Sequence, residues 1–176
     1  MSTYQLPKQL IANCELADKD WLWLGEDAEA ADLQAIDGAQ HVIAPVALWL
    51  SAQDQVAARQ GHCIPWLGSA DLAAQLAESV ADINTIPMIA LFFPVFSDGR
   101  NYSNARELRT TLGFDGDILA AGDVLRDQVF YMHRCGINVF AMREDQDLDD
   151  ALKAFADFQD GYQVSVDKPV PLFRRR

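Results

Sequence analysis

Short apolar runs alternate with segments of helical periodicity from residue 41 onwards. The runs begin near residues 41, 63, 87, 117, 137 and 162. Between them, apolar residues recur every three or four positions, as they do on the buried face of a helix. Strands that alternate with helices are typical of βα units and a parallel sheet. The sequence therefore predicts an α/β fold of repeated βα units with a mainly parallel sheet.

The number of units leaves two architectures open. Five or six units are too few for a closed barrel, which needs eight in roughly 200 to 250 residues. The sheet is therefore predicted to be an incomplete TIM-like (βα) barrel or an open doubly wound sheet. A chain of 176 residues fits a single α/β domain, 1–176. In it, residues 1–40 show only a short strand at 21–24 and a helix or loop at 26–36, and residues 167–176 are predicted to be an extended tail.

Helical spacing also predicts which side chains form the core. A strand is expected at 162–166, and strand 63–67 is expected at an edge or to be irregular because Pro65 has no backbone N–H. Ser69 is predicted to begin a helix whose inner face carries Leu72, Leu76 and Val80. The inward positions of the later helices are Leu108, Leu112, Leu125, Val129, Met132, Leu152 and Phe155.

Composition excludes several classes of protein. The chain has no apolar run near 18 residues, and its first residues carry acids where a signal peptide has its apolar core, so we expect a cytoplasmic protein without a membrane partner. A formal net charge of -12 argues against nucleic-acid binding, which needs a broad basic face. Cys14, Cys63 and Cys135 lack the spacing of a metal site, so free thiols and no metal are expected.

Arginines are concentrated in one part of this acidic chain. Residues 96–136 hold five of the ten arginines. Arg106 and Arg109 lie three apart on one predicted helix face, from which both could reach one anion. Asn101 or Ser103 is expected to cap this helix. Such clustering against the overall charge favours a site for a small anion.

The predicted anion site lies in loops that follow strand ends. In parallel sheets these loops share one edge, where helix N-termini offer free N–H groups. Glycine allows close backbone approach, and the planar guanidinium group of arginine matches oxyanions. The predicted site consists of Asp98, Gly99, Arg100, Arg106, Asp123 and Arg126. Arg143, which follows the next strand, opens onto the same edge.

Structural roles for the two aspartates remain open. Asp98 and Asp123 could instead be turn and helix-cap residues, with Asp123 pairing Arg126 three residues away. The chain has no G-x-G-x-x-G, Walker A or G-x-S-x-G motif, so the sequence assigns no catalytic residue and no cofactor. Enzymatic activity is left undecided at this point.

Three segments carry a family resemblance. FPVFSDGRNYSNARELR, GDILAAGDVLRDQ and HRCGINVF, within residues 41–142, resemble in order and spacing the DUF934 family of bacterial proteins of unknown function. The resemblance implies a genomic setting beside sirohaem-dependent sulfite or nitrite reductases, and a role as an oxidoreductase in sulfite reduction and sulfur assimilation. It supplies no mechanism and no catalytic residue.

Two functions follow as hypotheses. The first is an accessory protein or oxidoreductase of sulfite reduction that binds a sulfur oxyanion, or the phosphate of a cofactor, at the arginine-rich site. The alternative is a non-catalytic partner that docks on a sulfite or nitrite reductase through acidic surface. An incomplete barrel would also leave an exposed sheet edge, so homodimer formation is a further expectation.

Overall fold

The computed structural model describes residues 4–158 and 163–175, which contain one eight-stranded sheet. The strands are β1 Gln9–Ala12, β2 Glu15–Asp18, β3 Trp21–Trp23, β4 His41–Pro45, β5 Cys63–Leu67, β6 Met88–Phe93, β7 Asp117–Gly122 and β8 Val139–Phe140. The α-helices are α1 Ala30–Ala35, α2 Val46–Ser51, α3 Gln53–Ala58, α4 Ala73–Glu78, α5 Arg100–Thr110, α6 Arg126–Arg134 and α7 Leu148–Lys153. Short 3-10 turns occupy Ile83–Thr85, Ala154–Ala156 and Leu172–Arg174.

The six strands β3 to β8 are parallel and lie side by side in chain order. Parallel pairing of β6, β7 and β8, predicted from the sequence, is confirmed by the register Met88↔Asp117 and Leu119↔Val139. The order does not reverse as it does in a doubly wound sheet, and the sheet curls into a half-barrel. The antiparallel hairpin β1–β2, which adds an edge beside β8, was not predicted.

The helices cover one face of the sheet only. Because crossovers between parallel strands are right-handed, strands that follow chain order place every connecting helix on the same side. That face packs Leu76, Leu108 and Met132 of the helices against Leu91 and Phe140 of the strands. The opposite, inner face has its own smaller core. It consists of strand residues together with Tyr4 and Leu6 of the N-terminal segment.

Several predictions for individual strands and helices are wrong, and the helix predicted to begin at Ser69 begins later. Strand β5 pairs with both neighbours, so it is not an edge; its pairing with β6 begins at Trp66, just after Pro65. Helix α4 begins at Ala73, which leaves Leu72 at its N-cap and exposed. Leu125 is the N-cap of α6 and half-buried, and the fully buried position belongs to Val124.

The other predicted core positions divide into two groups. Leu76, Leu108, Val129 and Met132 are buried, as predicted. The rest are partly buried and pack against the same core; they are Val80, Leu112, Leu152 and Phe155.

The chain ends differ in part from expectation. Strand β3 and helix α1 fall within the segments predicted at 21–24 and 26–36. Residue 162 of the strand expected at 162–166 lies outside the described residues, and residues 163–166 form no strand. The tail is not wholly extended, because Leu172–Arg174 form a 3-10 turn. No helix in the described part of the chain is long and apolar enough to cross a membrane.

Candidate functional site

Three strands end together at the rim of the half-barrel where the parallel strands have their carboxyl ends. Strand β6 ends at Phe93, directly beside Gly122 at the end of β7. The chain after β8 continues along the rim, where Arg143 N–H donates to the Val124 carbonyl at 3.0 Å. This rim therefore brings together the loops that carry the predicted site residues.

Gly122 is required by the close approach of β6 and β7. Its φ is +104°, a conformation that side chains rarely adopt, and a Cβ there would lie 2.3 Å from the Phe93 carbonyl oxygen. The next residue, Asp123, donates its N–H to that same carbonyl at 2.8 Å. The Gly-Asp pair thus closes the end of the β6–β7 ladder and directs the Asp123 side chain along the rim.

Asp123 joins the loops after β6 and β8. Its Oδ2 accepts the Phe96 N–H at 2.8 Å, and its Oδ1 accepts Arg143 Nη1 at 2.7 Å. It neither caps α6 nor pairs with Arg126, so these two roles considered from the sequence do not describe it. Gln128 Nε2 fixes the same loop from α6 by donating to the Phe96 carbonyl at 2.8 Å.

Asp98 and Arg100 form a two-point ion pair within their own turn. Arg100 Nε and Nη2 donate to the two carboxylate oxygens at 2.9 and 2.7 Å, and the Ser69 hydroxyl donates to Oδ2. Hydrogen bonds from Arg100 and then Ser69 hold the pKa of Asp98 well below its usual range. The Arg100 side chain remains 65% exposed. Gly99 has a negative φ and ordinary contacts, so no close approach demands glycine there.

The remaining arginines of the predicted site separate. Arg126 pairs with Asp157 through two hydrogen bonds and lies 3.3 Å from Asp150. Hydrogen bonding to Asp157 is the main cause of its raised pKa. Arg106 is exposed on α5 and forms no ion pair with a described residue. The structure therefore brings Asp98 and Arg100 together, while Arg126 lies with the acids of α7 and of the turn after it.

Arg109 has a structural role that excludes it from anion binding. Its guanidinium group donates to the carbonyls of Phe114, Gly116 and Gly136 and to Asn138 Oδ1, at 2.6 to 3.1 Å. Burial lowers its pKa. These partners precede β7 and β8, so Arg109 lies at the end of the sheet opposite the rim. The expectation that Arg106 and Arg109 share an anion is therefore wrong.

A buried asparagine pair at the start of α5 was missed. Asn101 lies inside the helix, not at its cap, and donates to the Phe92 carbonyl at 2.7 Å. Asn104 donates to Asn101 Oδ1 at 2.8 Å and accepts the Ala73 N–H at 3.0 Å. Both side chains are buried, so these bonds satisfy polar groups inside the core. The i, i+3 spacing on the apolar side of the helix was the available signal.

A pocket of about 490 Å³ opens at the rim between the ends of β6, β7 and β8. Its floor is aromatic: Tyr4 of the N-terminal segment packs edge-on against Phe92 and Trp23, with ring centroids 5.4 and 5.1 Å apart. Burial raises the pKa of Tyr4 to about 12, so its phenol is neutral. The polar and charged lining includes Gln5, Asp123, Arg143 and Glu144. Of the predicted anion-site residues, only Asp123 lines this pocket.

One protein-family model matches this chain. The model of the family described as "Bacterial protein of unknown function (DUF934)" matches residues 66–173, which is more than half of the chain. The protein belongs to the DUF934 family. The match contains the three segments that carry the sequence resemblance. No curated protein matches the chain.

The rim of this DUF934 protein continues into residues 144–150, which comprise the turn before α7 and the first residues of that helix and which we call the acidic loop. Its five acids are Glu144, Asp145, Asp147, Asp149 and Asp150, and all are exposed. Asp145 pairs with Arg143 at 2.6 Å, and hydrogen bonds from Arg143 and then Gln146 lower its pKa to about 2. Asp147 caps α7. The acidic loop is consequently a compact surface rich in carboxylates beside the pocket.

Proposed function

We propose that this protein is an accessory protein of sulfite reduction that does not itself catalyse a reaction and docks on a sulfite or nitrite reductase through the acidic loop. The sulfite context comes from the family resemblance. The observation that carries the docking role is that the arginines of the rim are held by carboxylates of the same chain. Docking is therefore better supported than oxyanion capture at these arginines.

Carboxylates outnumber arginines in the ion pairs of the rim. The pairs are Arg100–Asp98, Arg126–Asp150, Arg126–Asp157, Arg143–Asp123 and Arg143–Asp145. Three guanidinium groups thus face five carboxylates. A sulfite or phosphate ion would have to compete with these internal partners and approach a surface of its own sign. A cationic protein surface meets no such barrier.

The acidic loop also offers carboxylates with no internal partner. In the part of the chain that the structure describes, Glu144 and Asp149 form no ion pair. Exposed charges of one sign on one surface raise the rate of encounter with an oppositely charged partner and make it dependent on salt. The overall charge of -12 adds a long-range contribution of the same sign.

The test compares two double charge reversals of equal net charge. Glu144→Lys with Asp149→Lys alters the acidic loop. Asp54→Lys with Glu78→Lys makes the same change on α3 and α4, whose exposed acids lie on helices that lead back to the opposite end of the sheet. Binding to the sulfite reductase of the same bacterium is measured by biolayer interferometry at low and high salt. We expect the loop variant to associate about tenfold more slowly at low salt than the control variant.

Two results would contradict the docking role. Equal association rates for both variants would show that only net charge matters and that the loop is not the contact. Sulfite-dependent turnover by the purified protein without the reductase would show that it is an enzyme in its own right. Under the proposal, the protein alone gives no turnover and binds the reductase.

The second candidate function is the predicted small-anion site. Arg106 favours it, because this exposed arginine has no ion pair among the described residues, and Arg100 keeps most of its side chain in solvent. A ligand present at about 100 times its dissociation constant stabilises a protein by about 2.7 kcal/mol. Thermal shift with sulfite, sulfate and phosphate tests this site. Its support is a shift that is lost in Arg100→Ala or Arg106→Ala, and no shift in the wild type removes it.

A further inference from the structure

The loop after β6 exposes two large apolar side chains at the rim. Val95 is 50% exposed and Phe96 is 58% exposed. They follow Pro94 and precede the Asp98–Arg100 pair, so they stand between the pocket and the start of α5. Exposed aromatic side chains next to a polar rim are typical of the centre of protein interfaces.

The backbone of this loop is held in place from three sides. The Phe96 N–H and carbonyl each have a partner, Asp123 Oδ2 and Gln128 Nε2, both at 2.8 Å. Asp98 N–H donates to the Val95 carbonyl at 3.0 Å, which closes the turn. A loop that is already ordered loses little conformational entropy on binding. Asp123 and Gln128, two of the motif residues, thus serve to position Phe96.

The exposed apolar surface continues onto the helices. Gln128 lies one turn before Tyr131 on α6, and Tyr131 is exposed with its ring centroid 5.2 Å from that of Tyr102. Tyr102 in turn packs edge-on against Phe93 at the end of β6. Val95, Phe96, Tyr102 and Tyr131 form what we call the anchor patch.

The anchor patch is connected to the acidic loop by hydrogen bonds. Asp123 accepts from the Phe96 N–H and from Arg143, and Arg143 donates to Asp145 at 2.6 and 2.8 Å. An apolar centre and an acidic flank therefore belong to one continuous, internally fixed surface. A partner that covers this surface needs an apolar pocket with basic side chains on one side.

We propose that Phe96 is the anchor with which this protein docks on the reductase, inserted into an apolar pocket that lysines or arginines of the partner flank. This inference rests on the proposed function and names the contact that docking uses. A second copy of the chain fits the patch poorly, because a symmetric contact would bring two acidic loops together between molecules that each carry a charge of -12. The cationic partner is the occupant that the charges favour.

The test truncates one exposed phenylalanine at a time. Phe96→Ala removes the anchor, and Phe173→Ala makes the same change on a side chain that is 75% exposed in the 3-10 turn Leu172–Arg174. Affinity for the purified reductase is measured by biolayer interferometry, and oligomeric state by analytical ultracentrifugation. We expect Phe96→Ala to raise the dissociation constant at least about tenfold, mainly through faster dissociation, and Phe173→Ala to leave it within about twofold.

Each outcome decides between the two proposals. If the wild type binds the reductase and Phe96→Ala has the same dissociation constant, Phe96 is not the anchor, but the docking function stands. Absence of binding by the wild type would overturn both. A wild-type dimer that Phe96→Ala converts to a monomer would assign the patch to self-association and also overturn the anchor. An unaltered circular dichroism spectrum and melting temperature of Phe96→Ala establish that any loss of binding is local.

Discussion

Gly122→Ala is the substitution whose effect on stability the structure determines most closely. The positive φ of +104° costs an alanine about 1 to 3 kcal/mol. The new methyl group would also lie 2.3 Å from the Phe93 carbonyl oxygen, and relieving such an overlap within packed strands costs about 1 to 3 kcal/mol more. We therefore expect the free energy of unfolding to fall by about 2 to 6 kcal/mol.

Gly113→Ala separates these two contributions. Gly113 has a φ of +65°, but an added Cβ there meets no atom within 4 Å. This variant should lose only the cost of the backbone conformation, about 1 to 2 kcal/mol. The entropy that alanine removes from the unfolded chain is the same in both variants and cancels in the comparison.

Urea unfolding followed by tryptophan fluorescence measures both variants. Trp23 and Trp66 are buried on the inner face and report on the sheet. If Gly122→Ala loses no more than Gly113→Ala, within about 0.5 kcal/mol, the close approach of β6 and β7 does not limit this position. The overlap with the Phe93 carbonyl would then not explain why glycine occupies this position.

Three further predictions concern the core and the ion pairs. Leu108→Ala should lose about 2 to 5 kcal/mol in urea unfolding, because Leu108 is fully buried. Leu125→Ala, at a half-buried N-cap, should lose clearly less, and equal losses for the two variants would contradict this difference in burial. Arg109→Lys should lose about 1 to 3 kcal/mol, since the single ammonium nitrogen cannot reach all four acceptors that the three guanidinium nitrogens contact, and a neutral result would refute that role. The pKa of Asp98 is lower in the folded state, so its contribution to stability is complete above about pH 4 and is lost as the pH falls through the folded value. Urea titrations from pH 6 to pH 2 should show a smaller loss for Asp98→Asn than for the wild type, and parallel curves would contradict the pairing with Arg100.

The strands were predictable where local sequence determines them. Strands β5, β6 and β7 are continuous apolar runs bounded by glycine or proline, and their bounds match to within a residue. The sequence did not predict whether helices cover one face of the sheet or both, because both faces of these strands are apolar. Only the structure shows that helices cover one face and that the N-terminal segment around Tyr4 covers the other.

The candidate site was predictable only in its location. Asp98, Arg100 and Asp123 follow strand ends, and the rule for parallel sheets placed them at one rim. Their partners depend on the fold: Arg143 meets Asp123 from 20 residues away, and Arg126 meets Asp157 from 31 residues away. Local spacing favoured an Asp123–Arg126 pair that does not form. A clustering of arginines in the sequence thus did not imply free arginines in the structure.

The β1–β8 pairing joins the first strand of the chain to the last and so bears on the order in which the sheet assembles. Each parallel strand meets a neighbour that is close in sequence, but Ile11 of the first strand pairs with Phe140 of the last strand. Closing a loop of that size costs about 4 kcal/mol of chain entropy, apart from a constant, and the hairpin β1–β2 alone is marginally stable. We therefore expect the hairpin to dock only after β8 has joined the sheet. The segment that precedes the rest of the sheet in the chain is the last to find its place, and a slow final folding phase should belong to it.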